Sequence, residues 1–427
     1  MKIKNFKTLA TTKNRETALY IAEAGLEAVD TKKAIQENVK LSPKELSIKG
    51  ESFSLDAIQR IFVVGVGKCS VDAGLALEKV LGDRLSGGIV VDVREGSLRT
   101  IKAYMGDHPF PSERNIDFTK DIIHFLSDLK ESDLVIFIIS GGGSTLLCQP
   151  KNFTCKEEGE VVQALFRAGA DIKKINTVRK HLSLARGGFL AEYAYPARVL
   201  SLIFSDVLGD NLEFVASGPT VKDTTTVDDA KKIIAEYRLN EALGVPEIEL
   251  IETPKDDKYF ENVKNILFIS NKTALDVMAE KAKSLGFTPK IYTAELSGEA
   301  SQVGFRIVQD LRAAAPRSVF LYGGETTVTI GNLGKGGRNQ ELALSALRFM
   351  CVKHTLMAFT SDGKDNTDFA GAICDILTKE RAEKLNLNIE KYLDENNSYN
   401  FFEKVGDYIL TGDTGSNVAD FVIAINE

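Results

Sequence analysis

The chain alternates short runs of β-branched and aliphatic residues with amphipathic stretches, and nearly every apolar run stops at a glycine-rich or acidic turn. Residues 60–65, 88–93, 134–139 and 199–204 are such runs, while 71–81 and 121–129 carry apolar residues at helical spacing. Continuous apolar runs of this length, separated by helices, predict parallel strands in βαβ units with helices on both sheet faces. At 427 residues the chain is also too long for one hydrophobic core, so two domains are expected.

The pattern pauses at Thr253-Pro254 and the charged residues Lys255, Asp256, Asp257 and Lys258, which read as a linker. It then restarts, with strands expected at 265–269, 289–292, 317–322, 326–330, 355–359 and 408–410 and helices at 273–285 and 301–314. Segment 328–337 reads as a hairpin turn, so the second sheet should be mixed. The expected architecture is α/β: two three-layer α/β/α domains flanking an interdomain cleft. The first, 1–253, is Rossmann-like with a mostly parallel sheet; the second, 262–427, has a mixed sheet.

Composition narrows the function. With 44% hydrophobic and 26% charged residues the chain is ordinary globular material, and a net charge of −7 argues against a general nucleic-acid or anionic-membrane binder. His108, His124, His181 and His354 stand far apart without zinc-ligand spacing. Cys69, Cys148, Cys155, Cys351 and Cys374 form no CxxC pair and read as reduced thiols. No signal-peptide pattern and no apolar run of ~18 residues is present, so the expectation is a soluble cytoplasmic protein.

Ligands of open α/β sheets bind beyond the carboxyl ends of the strands. Gly65, Gly67, Lys68 and Ser70 follow the first strand and open a helix. Three readings fit this turn: an anion site with Lys68 as a mobile charge, a degraded GxGxxG with Asp92 for a ribose, or a close helix–strand crossing. Ser140, Gly141, Gly142, Gly143 and Ser144 resemble a phosphate-cradling nest, or else a tight strand-to-helix turn. Asp206 and Asp210 suit Mg²⁺ or helix capping. Arg179, Lys180, His181 and Arg186 would clamp a carboxylate or phosphate, or form a solvated helix face. In the second half, Glu325 follows Gly323-Gly324, and Arg338 opens a helix after Gly336-Gly337, placed for a transferring phosphoryl group. Asp362, Asp365 and Asp368 share one loop, and Thr411 to Asn417 form another.

These strings together with Gly106-Asp107-His108-Pro109, Asn176 to Ser183 and Ala216 to Thr220 resemble the glycerate 2-kinase family, whose C-terminal half is the MOFRL domain. The resemblance spans residues 15–425. It implies ATP-dependent phosphorylation of the 2-hydroxyl of D-glycerate, with Mg²⁺, in a cleft between two α/β domains. Lys68 and Arg338 would then stabilise the phosphoryl group and anchor substrate. Asp206, Asp362 and Asp365 would hold metal or position the nucleophile. Ser140, Gly141, Gly142, Gly143, Ser144, Glu325, Asn339 and Thr414 would hold nucleotide or substrate. The Asp362–Asp368 loop is one residue shorter than the family pattern, and Asp413 stands where proline is common. The alternatives are an NAD(P)H-dependent hydroxypyruvate reductase and a non-catalytic metabolite-binding protein. The expected partners are small molecules alone, with neither nucleic acid nor membrane.

Overall fold

The computed structural model describes residues 1–427, which form two compact units. One comprises residues 34–268. The other comprises residues 1–33 and 269–427.

The first unit begins with a three-stranded antiparallel sheet, β1 (Val39–Leu41), β2 (Glu45–Ile48) and β3 (Glu51–Ser54). Its main sheet contains β4 (Arg60–Val66), β5 (Leu85–Asp92), β6 (Ile101–Met105), β7 (Asp133–Ser140), β8 (Arg198–Phe204) and β9 (Val263–Ile269), in the order β6-β5-β4-β7-β8-β9. Strands β4 to β8 pair in parallel. All eight residues of β7 are buried, as a central parallel strand covered on both faces requires.

In the second unit, β10 (Thr288–Leu296), β11 (Ser318–Gly324), β12 (His354–Thr360), β13 (Gly371–Asp375), β14 (Tyr408–Ile409) and β15 (Asp420–Asn426) are ordered β10-β11-β15-β12-β13-β14. β10 and β11 are parallel; every other pair is antiparallel. The expected mixed sheet is present, but not through a hairpin at 328–337. Residues 325–337 form no strand, and Thr327 makes only an isolated bridge to Glu299. The mixing comes instead from β15, which the chain's end inserts between β11 and β12. Beneath the sheet, Ala300–Arg312 crosses Arg338–Leu347 so closely that a Cβ on Gly304 would lie 2.4 Å from the Leu342 carbonyl oxygen.

The unit boundaries differ from 1–253 and 262–427. Residues 265–269, expected to start the second sheet, are the edge strand of the first. Asn265 fixes them there, donating to the Thr220 carbonyl at 3.1 Å and accepting from its hydroxyl at 2.8 Å. The opening helix, Lys13–Ala28, packs on Asn271–Ser284, so residues 1–33 fold within the second unit. Arg15, fully buried, donates to Asp375 and Asp407, each at 2.6 Å at its nearest. Pairing of this kind depends on partners hundreds of residues away.

Cys148 and Cys155 form a disulfide with an S–S distance of 1.99 Å, so the expectation of five reduced thiols is corrected for this pair. The loop between them folds back and brings together residues that no CxxC spacing signals. Cys69, Cys351 and Cys374 are outside any disulfide. No helix is long and apolar enough to cross a membrane.

Candidate active site

The chain lays β5 and β6 on one side of β4, then returns to place β7 on the other. Connections that depart in opposite directions leave a crevice at the carboxyl ends of β4 and β7. Two of the sequence's glycine-rich turns meet there. Lys68 N–H donates to the Gly141 carbonyl at 3.0 Å, and Cys69 N–H to Ser140 Oγ at 3.3 Å. Gly67 has φ +126°, and a Cβ on it would lie 2.1 Å from Ser140 Oγ, so only glycine lets the turns approach this closely.

Gly142, at φ +81°, turns the chain into the short helix Gly143–Leu146. A Cβ on Gly142 would lie 3.2 Å from Lys68 Cγ and 3.4 Å from His108 Cδ2, so both side chains cross the nest. Burial lowers the His108 pKa, and the Lys68 ammonium lowers it further. Asp206 follows the adjacent strand β8; burial raises its carboxyl pKa while Lys68 pulls it back. Ser144 shares a 2.9 Å hydrogen bond with Ser217, whose hydroxyl donates to Asn176 Oδ1 at 2.9 Å. Lys68, the Ser140–Ser144 nest and Asp206 are therefore gathered at one strand-end crevice, with His108, Ser217 and Asn176 around them.

Two other sequence features are already engaged. Buried Asp92 accepts Val71 N–H at 3.0 Å through one oxygen and Val93 N–H at 2.7 Å through the other. It ties the start of helix Ser70–Leu81 to its own turn, leaving the ribose reading without its carboxylate. In the basic stretch, Lys180 pairs with Asp223 at 2.5 Å, His181 with Glu252 at 3.2 Å, and Arg186 with Glu158. These three are buried, not a solvated helix face.

In the other unit, β15 runs against both neighbours, so its first residue, Asp420, lies opposite Gly324 at the end of β11 and Thr360 at the end of β12. Arg338 donates to Asp420 through Nε at 2.5 Å and Nη2 at 3.1 Å; Nη2 also lies 3.1 Å from Glu325. Asp365 is buried beneath the same helix start. One oxygen accepts Asn339 N–H at 3.1 Å and Nδ2 at 3.2 Å; the other accepts Gln340 N–H at 2.9 Å and Nε2 at 3.0 Å. Burial and nearby Asp420 push its pKa up to about 6. A Cβ on Gly337 would lie 2.0 Å from the Asp365 carbonyl oxygen, which is why glycine precedes Arg338.

This cradle does not fit a resident Mg²⁺. A metal at Asp365 would have to displace the donors that hold the helix start. Asp362 Oδ1 accepts from Thr360 Oγ1 and Lys364 N–H, both at 2.9 Å, and no group of three His, Cys, Asp or Glu side chains is arranged to hold a metal ion. Asn339 is committed to Asp365. Thr414 donates to the Ser361 carbonyl and braces two loops. Sequence reasoning missed Asp420, whose only signal is a lone acid opening an apolar run. It also gave His108, Ser217 and Asn176 no roles, although it noted their strings.

Sequence profiles agree with this layout: one described as "Domain of unknown function (DUF4147)" matches residues 17–249, and that of the MOFRL family matches 318–420. A glycerate 2-kinase of Pyrococcus horikoshii is 39% identical, covering 96% of this chain and 97% of its own. The chain belongs to the glycerate 2-kinase family. A D-glycerate 2-kinase of Thermotoga maritima is 35% identical over 96% of this chain and 98% of its own. The crystal structure of a glycerate kinase from the same organism superposes with a TM-score of 0.86 at 34% identity, covering 96% of this chain and 99% of that one. Family membership therefore embraces both units and both sets of turns.

Proposed function

We propose that this protein is an ATP-dependent glycerate 2-kinase that converts D-glycerate to 2-phosphoglycerate in the cytoplasm. The observation that carries the reading is the meeting of Lys68, the Ser140–Ser144 nest and Asp206 at the β4/β7 switch point, in a chain similar to glycerate 2-kinases over nearly its whole length. Phosphoryl transfer asks a protein for positioning and charge stabilisation more than for covalent chemistry. Those are what this constellation offers.

In the proposed reaction the 2-hydroxyl oxygen bonds to the γ-phosphorus as the bond from phosphorus to the β–γ bridging oxygen breaks. ADP leaves with that electron pair, and the hydroxyl proton passes to Asp206. The nest presents a close-approach backbone to the phosphates, and Lys68 supplies a positive charge beside it. Arg338, its fork set by Asp420, is assigned to the charge that develops on the transferring group. Mg²⁺ enters as part of the nucleotide substrate and is not assigned to Asp365.

The test is purified protein with D-glycerate, ATP and Mg²⁺, with the product read by ³¹P NMR. The 2-phosphate is expected. A 3-phosphate product would defeat the regiochemistry. No ATP consumption, with NADH oxidation on hydroxypyruvate, would defeat the kinase. Lys68→Ala should lower kcat by ~10²-fold if the ammonium stabilises the transition state.

A further inference from the structure

Arg179 differs from every other cation in its stretch of sequence. Lys180, His181 and Arg186 each face a carboxylate, whereas the Arg179 guanidinium makes no hydrogen bond and no ion pair. It is nonetheless half-buried, on the last turn of helix Ile172–Leu182. Burial, and then the neighbouring positive charge of Arg186, push its pKa down to about 10, so it stays protonated at neutral pH. Glu158 offsets this in part, but its carboxylate is already bonded by Arg186, and a cation without a bonded partner in such a place costs stability unless a further anion meets it.

Its position relative to the site follows from a chain of contacts. Asn176 lies one turn back on the same helix face. Its Oδ1 accepts from Ser217, which bonds Ser144 of the nest. Arg186 secures the same region, donating to the Leu147 carbonyl just beyond the nest at 2.6 Å and to the Arg179 carbonyl at 3.5 Å. The nest and Lys68 already account for phosphate. A guanidinium is a planar fork that matches a carboxylate in two parallel hydrogen bonds, a geometry an ammonium cannot supply.

We propose that Arg179 forms the carboxylate subsite for the hydroxy-acid substrate, holding the acid so that its 2-hydroxyl faces the phosphoryl group at the nest. The assignment rests on the glycerate 2-kinase reading. It predicts that acceptors lacking a carboxylate, such as glycerol, are poor substrates whatever their hydroxyl geometry.

Arg179→Ala and Arg179→Lys separate the outcomes, with thermal melting as the check of folding. Arg179→Ala should raise KM for D-glycerate by ~100-fold, leave KM for ATP unchanged, and recover part of its activity in millimolar guanidinium ion. If Arg179→Ala does not fold, Arg179→Lys should still show an intermediate rise in KM for D-glycerate alone. An unchanged KM for D-glycerate, or a rise confined to ATP, overturns the subsite while the kinase stands. If the wild-type protein phosphorylates no hydroxy acid, the kinase reading falls. Calorimetric titration with D-glycerate without nucleotide then decides the subsite: binding lost in Arg179→Ala retains it, and no binding by wild type or equal binding by both removes it.

Discussion

Asp420 holds Arg338 by two prongs, its Oδ2 2.5 Å from Nε and its Oδ1 3.1 Å from Nη2. The pair fixes the plane of the guanidinium, and burial of the carboxylate makes that constraint strong. Asp420→Asn keeps the shape and removes the charge. It should lower kcat by ~10–100-fold with little change in either KM, because an arginine that tilts loses transition-state contact before ground-state binding. Arg338→Lys should lose at least as much, since an ammonium cannot occupy both prongs. Steady-state kinetics with wild-type kcat in Asp420→Asn would remove Asp420 from the machinery.

Asp92 distinguishes the kinase from a nicotinamide-dependent enzyme. Its oxygens accept backbone N–H groups of Val71, Val93 and Arg94. Asp92→Ala should therefore cost ~1–2 kcal/mol, seen as a lower urea midpoint, and leave KM for ATP unchanged. NADH fluorescence should report no binding by either protein. Enhancement by wild type that disappears in Asp92→Ala would restore the ribose role.

What the sequence conveyed was local, and what it concealed was tertiary. Strands β4, β7 and β8 were legible because a parallel strand buried on both faces must be apolar throughout, and the turns after them because glycine is needed where Gly67 crosses Ser140. Lys68, the nest and Asp206 could be named because they follow those strands directly. The sequence marks Asp365 by its charge alone; only the fold shows that Asn339 and Gln340 use its oxygens. Asp420 escaped because its site value comes from β15 inserting between β11 and β12, a pairing over long sequence separation. The same blindness separated residues 1–33 from the unit in which they fold.

That N-terminal segment offers its own test. Arg15 is enclosed by Asp375 and Asp407, both nearly inaccessible. Arg15→Ala strands buried Asp375 and leaves Asp407 with Arg381 as its remaining cation, and should destabilise the protein by ~3–5 kcal/mol in thermal or urea denaturation. Arg15→Met combined with Asp375→Asn and Asp407→Asn removes charge from both sides and should cost less than the single change. A neutral Arg15→Ala would mean that the N-terminal helix is not integral to the unit.

Glu341 lies three residues after Arg338 and faces a cavity of about 370 Å³, also lined by Glu299, Arg348 and Glu390. The side chain is buried, and burial, then the negative charge of Glu299, push its pKa up to about 7 from an ordinary 4.5. The native protein thus keeps this proton where the unfolded chain has released it. Its contribution to stability is full below pH 4.5, declines as pH rises, and is gone above pH 7. Glu341→Gln cannot ionise, so its stability relative to wild type should grow from pH 4.5 to 7 and level off at no more than ~3 kcal/mol. Urea titrations of both proteins at pH 5 and pH 8 check the sign directly. Wild type gaining on Glu341→Gln at pH 8 would show that the carboxylate, not the acid, is the form the native cavity favours.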